Sequence, residues 1–201
     1  NKIIGTVATR FINALASFVI VILVSRWLGA GGLGSVNLVV LGISIAVMAS
    51  NFVGGGALVY LVPRHKLIHL LLPAYVWALF TTALVVAALH TFALVPIQYS
   101  LDIYIISLIH AFMTIHQVSL LGRERILKNN LVTLTRILSM VASLLVIMLV
   151  LDQKSIQAYV YSLYISYALA LVLSTAFITQ EIQMARAAGF CCTGRHRSGP
   201  Q

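Results

Sequence analysis

Apolar residues fill six long runs of the chain, separated by short polar or glycine-bearing stretches. The runs cover 3–28, 36–52, 67–95, 101–121, 131–151 and 156–179. At about 1.5 Å of helix per residue, each is long enough to cross about 30 Å of hydrocarbon, tilted where it is longer. The connections are short, so consecutive helices are expected to be antiparallel neighbours. Pro73 falls inside the third run and predicts a bend there. The expected fold is an all-α membrane protein, a six-transmembrane-helix bundle over residues 1–180. Residues 181–201 lose the apolar periodicity and read as a cytoplasmic disordered tail, the mark of a truncation, frameshift or cloning scar. The start at Asn1 rather than methionine suggests that a few residues precede it.

The few polar side chains within the runs fall on helical faces. Thr6, Arg10, Asn13 and Ser17 form one stripe in the first run, and Asn37, Ser44 and Asn51 repeat every seven residues in the second. Ser100, Ser107, His110, Thr114 and Gln117 mark the fourth, and Asn129, Thr133, Arg136 and Ser143 the fifth. Ser155, Tyr159, Ser162 and Ser166 align in the sixth, while the third carries only Thr81, Thr82 and His90. Serines, threonines and asparagines commonly join helices within a bilayer. Arginine and histidine at depth are costly and face a partner or water. Arg10 and Arg26 are separated by about 24 Å of helix, less than the hydrocarbon thickness, so at least one must snorkel or face a cavity. Snorkelling is also open to Arg136. The candidate binding residues are therefore Arg10, Asn13, Ser44, Asn51, His110, Thr133 and Arg136.

The stretch from Asn51 to Lys66 carries Gly54, Gly55 and Gly56, then Ala57 to Val62, then Pro63, Arg64 and Lys66. Three glycines loosen a helix and proline stops one. Two readings follow. Either a membrane helix breaks at a glycine hinge and restarts, as in transport pathways, or a span ends and an interfacial segment follows.

Composition requires lipid. The chain is 61% hydrophobic and 8% charged, and its mean hydropathy is +1.03, whereas a soluble domain is nearer half apolar and a quarter charged. Cys191 and Cys192 are adjacent and staple no framework. The formal charge of +9 has no polar domain to serve as a nucleic-acid surface. It reports orientation instead. With the N-terminus inside, the cytoplasmic side receives Lys2, Arg64, Lys66, Arg123, Arg125, Lys128, Arg186, Arg195 and Arg197, against Arg26 and Lys154 outside. That bias predicts N-in and C-in, and those cations can also grip anionic lipid head groups. The first run has no cleavage site and is not a signal peptide. No metal, nucleotide or dinucleotide motif is present, and the four acids, Asp102, Glu124, Asp152 and Glu181, all lie at loops or ends. His110 and His116 point to opposite faces. No enzymatic activity, metal or cofactor is expected.

Three stretches together resemble a known family. They are Ser25-Arg-Trp-Leu-Gly-Ala-Gly-Gly-Leu-Gly34, the glycine stretch from Asn51 to Lys66, and Leu121-Gly-Arg-Glu-Arg-Ile-Leu-Lys-Asn-Asn130. In order and spacing, from residue 3 to about 179, they resemble the first lobe of bacterial polysaccharide (oligosaccharide) flippases. That superfamily includes multidrug-extruding antiporters. The resemblance implies a multi-pass protein of the bacterial inner membrane that exports a lipid-linked oligosaccharide on undecaprenyl diphosphate. It implies alternating access between two lobes, so that the partners are the lipid-linked oligosaccharide, membrane lipids, and a second lobe or a second copy. Proton or sodium coupling is compatible with it. Two alternatives remain open: a multidrug or cation antiporter of the same superfamily, which wants buried acids, and a non-transporting remnant or accessory membrane subunit.

Overall fold

The computed structural model describes residues 2–61, 67–150, 152–153 and 155–194, with side-chain surroundings for most of these up to residue 184. Residues 62–66, and with them Pro63, Arg64 and Lys66, lie outside the described residues, as do 195–201. The described chain is helical throughout: α1 (Lys2–Leu61), α2 (Leu67–Thr91), α3 (Ser100–Gly122), α4 (Ile126–Leu145) and α5 (Ile156–Gly194). A short 3₁₀ turn, Ile97–Tyr99, leads into α3, and a π-helical turn, Val146–Val150, ends α4. Five of these helices are long and apolar enough to cross a membrane.

The first two runs of the sequence differ from expectation at their boundary. Rather than a glycine-bearing connection over 29–35, helix continues on both sides of one residue, Gly29, whose φ of 68° and ψ of −175° are non-helical. That region of backbone space is open essentially to glycine alone. Gly31, Gly32 and Gly34 stay helical. The chain folds back at Gly29. Ser17 and Ile20 before it line the same cavity as Ile43 and Ser44 after it, yet a straight helix would hold Ser17 and Ser44 about 40 Å apart. Thus α1 consists of two limbs, residues 2–28 and 30–61. The second limb is helical through Gly54, Gly55 and Gly56 to Leu61, so the break in the helical backbone lies at Gly29 and not at the triple glycine.

Side-chain bonds fix how the helices run. Tyr164 Oη donates to Asp102 Oδ1 at 2.9 Å near the start of α3, and Arg123 meets Glu181 at its end, so α3 and α5 are parallel. Tyr75 bonds His116, and His90 lies 3.0 Å from Ser100, so α2 is antiparallel to α3. Gln117 donates to Thr133 at 3.0 Å and Ser143 to the Ser162 carbonyl at 3.5 Å, placing α4 antiparallel to both α3 and α5. Asn130 donates to Thr6 at 3.3 Å, which sets the first limb of α1 beside the start of α4. One end of the bundle therefore gathers Thr6, Arg123, Arg125, Lys128 and Glu181.

The interior is apolar, centred on Val24, Val39, Ile103, Ile106, Leu144, Met148 and Ala170, with a satellite around Leu71, Ala78, Ile115, Leu120 and Ile178. The outside is also apolar: Phe52 is 91% exposed, Leu72 70% and Phe11 65%. Water would penalise such a surface and hydrocarbon does not. The protein is accordingly described as a multi-pass membrane protein.

Thr179 does not end the last helix. Glu181, two residues further, is buried and paired with three cations, and α5 continues to Gly194. The reversal between α3 and α4 closes with Arg125 N–H on the Leu120 carbonyl and Glu124 N–H on that of Leu121, a Schellman pattern. Its left-handed residue is Glu124, at φ 57°, where glycine is usual. Glu124→Gly is expected to stabilise the fold by about 1 kcal/mol or less, the relief of left-handed strain being partly offset by unfolded-chain entropy. Thermal unfolding in detergent measures it. A loss of stability would show that the Glu124 side chain makes a contact worth more than the strain.

Candidate functional site

A cavity of about 250 Å³ opens between the two limbs of α1, the middle of α4 and the first turns of α5. Its walls join several polar stripes. The first limb contributes Ser17, the second Asn37 and Ser44, α4 contributes Arg136, and α5 contributes Tyr159 and Tyr167, with Ile20, Val40, Ile137, Met140 and Leu163 between them. The hydroxyls of Ser17 and Ser44 each donate to a carbonyl one turn back, of Asn13 and Val40, at 2.8 Å. Their protons are committed to the helix, so toward the cavity both oxygens act as acceptors.

Arg136 is the cation of this site. Because α4 begins at Ile126, five residues earlier than the apolar run suggested, Arg136 lies about 15 Å along its helix. That places it within the apolar stretch of α4, on the cavity wall. Among the described residues no carboxylate pairs with it. Its guanidinium carbon stands 5.5 Å from the centroid of the Tyr167 ring, whose electron-rich face partly offsets the lost hydration. Tyr167 in turn packs against His110, with ring centroids 4.5 Å apart and planes inclined by 34°. The order Arg136, Tyr167, His110 thus runs from the cavity into the bundle. His110 does not reach the cavity wall; its Nδ1 is buried and makes no hydrogen bond among the described residues.

The remaining candidates are dispersed. Arg10 is exposed on the first limb, two turns before Ser17, and lies outside the cavity wall. Asn13 is half-buried with its Oδ1 unpartnered among the described residues. Thr133 accepts from Gln117 and donates to the Asn129 carbonyl, so it belongs to the seam between α3 and α4. Asn51 is half-buried further along the second limb. Of the α5 stripe, Ser162 and Ser166 are fully buried, donate to their own helix and face the packed interior. They are the interhelical glue that such serines commonly are.

Tyr159 appeared in a stripe without a role and Tyr167 was missed. The signal was present: Tyr159, Leu163 and Tyr167 recur every four residues, one line on a helix, but a polar-only reading passes over it. His110 and His116 keep separate neighbours, and no group of three metal-ligating side chains occurs among the described residues. His116 joins α2, α3 and α5 through Tyr75 and Ser174.

The chain matches no known protein-family model, no curated protein and no solved structure.

Proposed function

We propose that the protein is one six-span lobe of a flippase that moves a lipid-linked oligosaccharide across a bacterial inner membrane by alternating access. The observation that carries this reading is the cavity within the apolar bundle, lined by hydrogen-bonding groups and by one cation, Arg136, which has no carboxylate partner among the described residues. A cargo on undecaprenyl diphosphate has a charged diphosphate, a hydroxyl-rich glycan and a long apolar tail. The Arg136 fork offers charge-assisted hydrogen bonds to phosphate oxygens. Ser17 and Ser44 accept from hydroxyls, Asn37 both gives and accepts, and the tail stays in lipid. A cation antiporter fits less well, since none of the four acids, Asp102, Glu124, Asp152 and Glu181, lines this cavity. The resemblance of three sequence stretches to the flippase family supports the same reading, including a second lobe or second copy across the open side of the cavity. Membrane vesicles from cells expressing the protein are expected to transfer a fluorescent lipid-linked oligosaccharide between leaflets. Transfer no faster than in vesicles from cells lacking its gene overturns the proposal.

The six spans are the two limbs of α1 and α2 to α5, with both termini cytoplasmic. The distribution of basic residues supports this, and the structure puts Arg123, Arg125 and Lys128 at the same end as Thr6. In a background lacking Cys191 and Cys192, Ser35→Cys and Gln153→Cys should react with an impermeant thiol reagent added outside intact cells. His65→Cys and Glu124→Cys should not. Labelling of the latter pair from outside reverses the orientation.

A further inference from the structure

The reversal between α3 and α4 holds more positive charge than its fold uses. Glu181, buried on α5, receives Lys128 Nζ at 2.8 Å and Arg125 Nε at 3.0 Å on the same oxygen, Oε1. Arg123 Nη1 lies 3.8 Å from the other oxygen and donates to the Glu181 carbonyl at 3.2 Å. Lys128 also donates to Gln180 at 3.2 Å and sits 5.4 Å from the centroid of the Phe177 ring. Three cations thus converge on a single carboxylate, and Glu124, exposed between the two arginines, pairs with none of them among the described residues.

The geometry leaves donors facing outward. Arg125 spends its Nε on Glu181, its side chain is half exposed, and its two terminal nitrogens make no ion pair among the described residues. Arg123 is tied through Nη1 alone. Two guanidiniums anchored at one edge present their other edge as fixed forks, the shape that suits phosphate oxygens. Their anchoring by Glu181 and by the Schellman turn lowers the ordering cost of a ligand.

The position selects the ligand. The turn joins the ends of two apolar helices, so it lies at the level of the lipid head groups, where phosphate is concentrated and a basic cluster attracts anionic lipid. Leu121, 40% exposed, precedes Arg123 and Leu127, 62% exposed, follows Arg125, so apolar surface flanks the cations where acyl chains begin. We propose that Arg123, Arg125 and Lys128 form a binding site for the phosphate of an anionic phospholipid. This site shares no residue with the Arg136 cavity, and its assignment does not depend on what that cavity carries.

Native mass spectrometry of the intact protein in detergent tests it, with phosphatidylglycerol, phosphatidylcholine and inorganic phosphate as probes. Retention of phosphatidylglycerol over phosphatidylcholine is expected. It should weaken about ten-fold or more in the double variant Arg123→Gln/Arg125→Gln, and be unchanged by Arg26→Gln, an exposed cation elsewhere on the chain. A purely structural ion cluster predicts that the double variant loses stability without any change in lipid binding. Equal retention of both lipids, phosphatidylglycerol binding that survives the double variant, or inorganic phosphate binding as tightly as the lipid would each overturn the assignment. If the double variant fails to fold, Arg125→Gln alone, whose half-exposed side chain is the least embedded of the three, carries the test with the same expected direction.

Discussion

Arg136→Ala should reduce transfer of a lipid-linked oligosaccharide at least ten-fold while membrane abundance stays within about two-fold of the parent. The effect follows from position. Among the described residues Arg136 is the only cation on the cavity wall and has no carboxylate to share its charge. Removing it deletes the donors that would meet a diphosphate and costs the fold one cation–aromatic contact. Arg136→Lys should recover only part of the transfer, since an ammonium keeps the charge but not the bidentate fork. Arg10→Ala, outside the cavity wall, should cost less than Arg136→Ala. The sequence alone predicts equal losses for the two arginines, so this ordering tests the three-dimensional site itself. Normal transfer by Arg136→Ala would dismiss the cavity as the cargo site.

His116→Leu should destabilise the bundle by about 1 kcal/mol, the cost of stranding a half-buried hydroxyl. The network specifies which group is stranded. Ser174 Oγ donates to the Leu171 carbonyl at 2.9 Å, so its single proton is spent, and His116 Nδ1 must donate to Ser174 at 2.9 Å. In the neutral ring Nε2 then accepts from the Tyr75 hydroxyl. Leucine keeps the volume but leaves that hydroxyl without its acceptor, beside the Phe112 ring at 5.0 Å. Ser174 is unharmed, since it retains Leu171. The double variant Tyr75→Phe/His116→Leu should therefore recover most of the loss, because removing both partners of a buried pair is nearly neutral. Thermal unfolding of the purified variants measures both. Additive losses in the double variant would show that the histidine acts through packing alone.

Much of the architecture is legible in residue order. Long apolar runs had to become helices, because a backbone in hydrocarbon must satisfy its own hydrogen bonds. Arg136 stood out as a cation in an apolar run, and Ser17, Asn37 and Ser44 lay on stripes whose spacing is helical. Placement went less well. Gly54, Gly55 and Gly56 are the conspicuous glycines, yet the backbone leaves the helix at Gly29, within a run of four glycines that differ little by composition. A local signal tells that a turn is near; which glycine takes the positive φ depends on how the two limbs must meet.

Residue order by itself determined that this chain is helical, lipid-facing and basic at one set of helix ends, since burial of backbone groups and hydropathy are properties of segments. Only the tertiary structure decided which stripes share a space. Arg136, Ser17, Asn37 and Ser44 meet Tyr159 and Tyr167 around one cavity, while His110 stands behind Tyr167 and Thr133 closes a seam with Gln117. The rotation of each helix about its axis sets that sorting. It is fixed by packing between helices, through buried contacts such as Val39, Ile103 and Leu144, and no single run encodes the face its neighbour will offer.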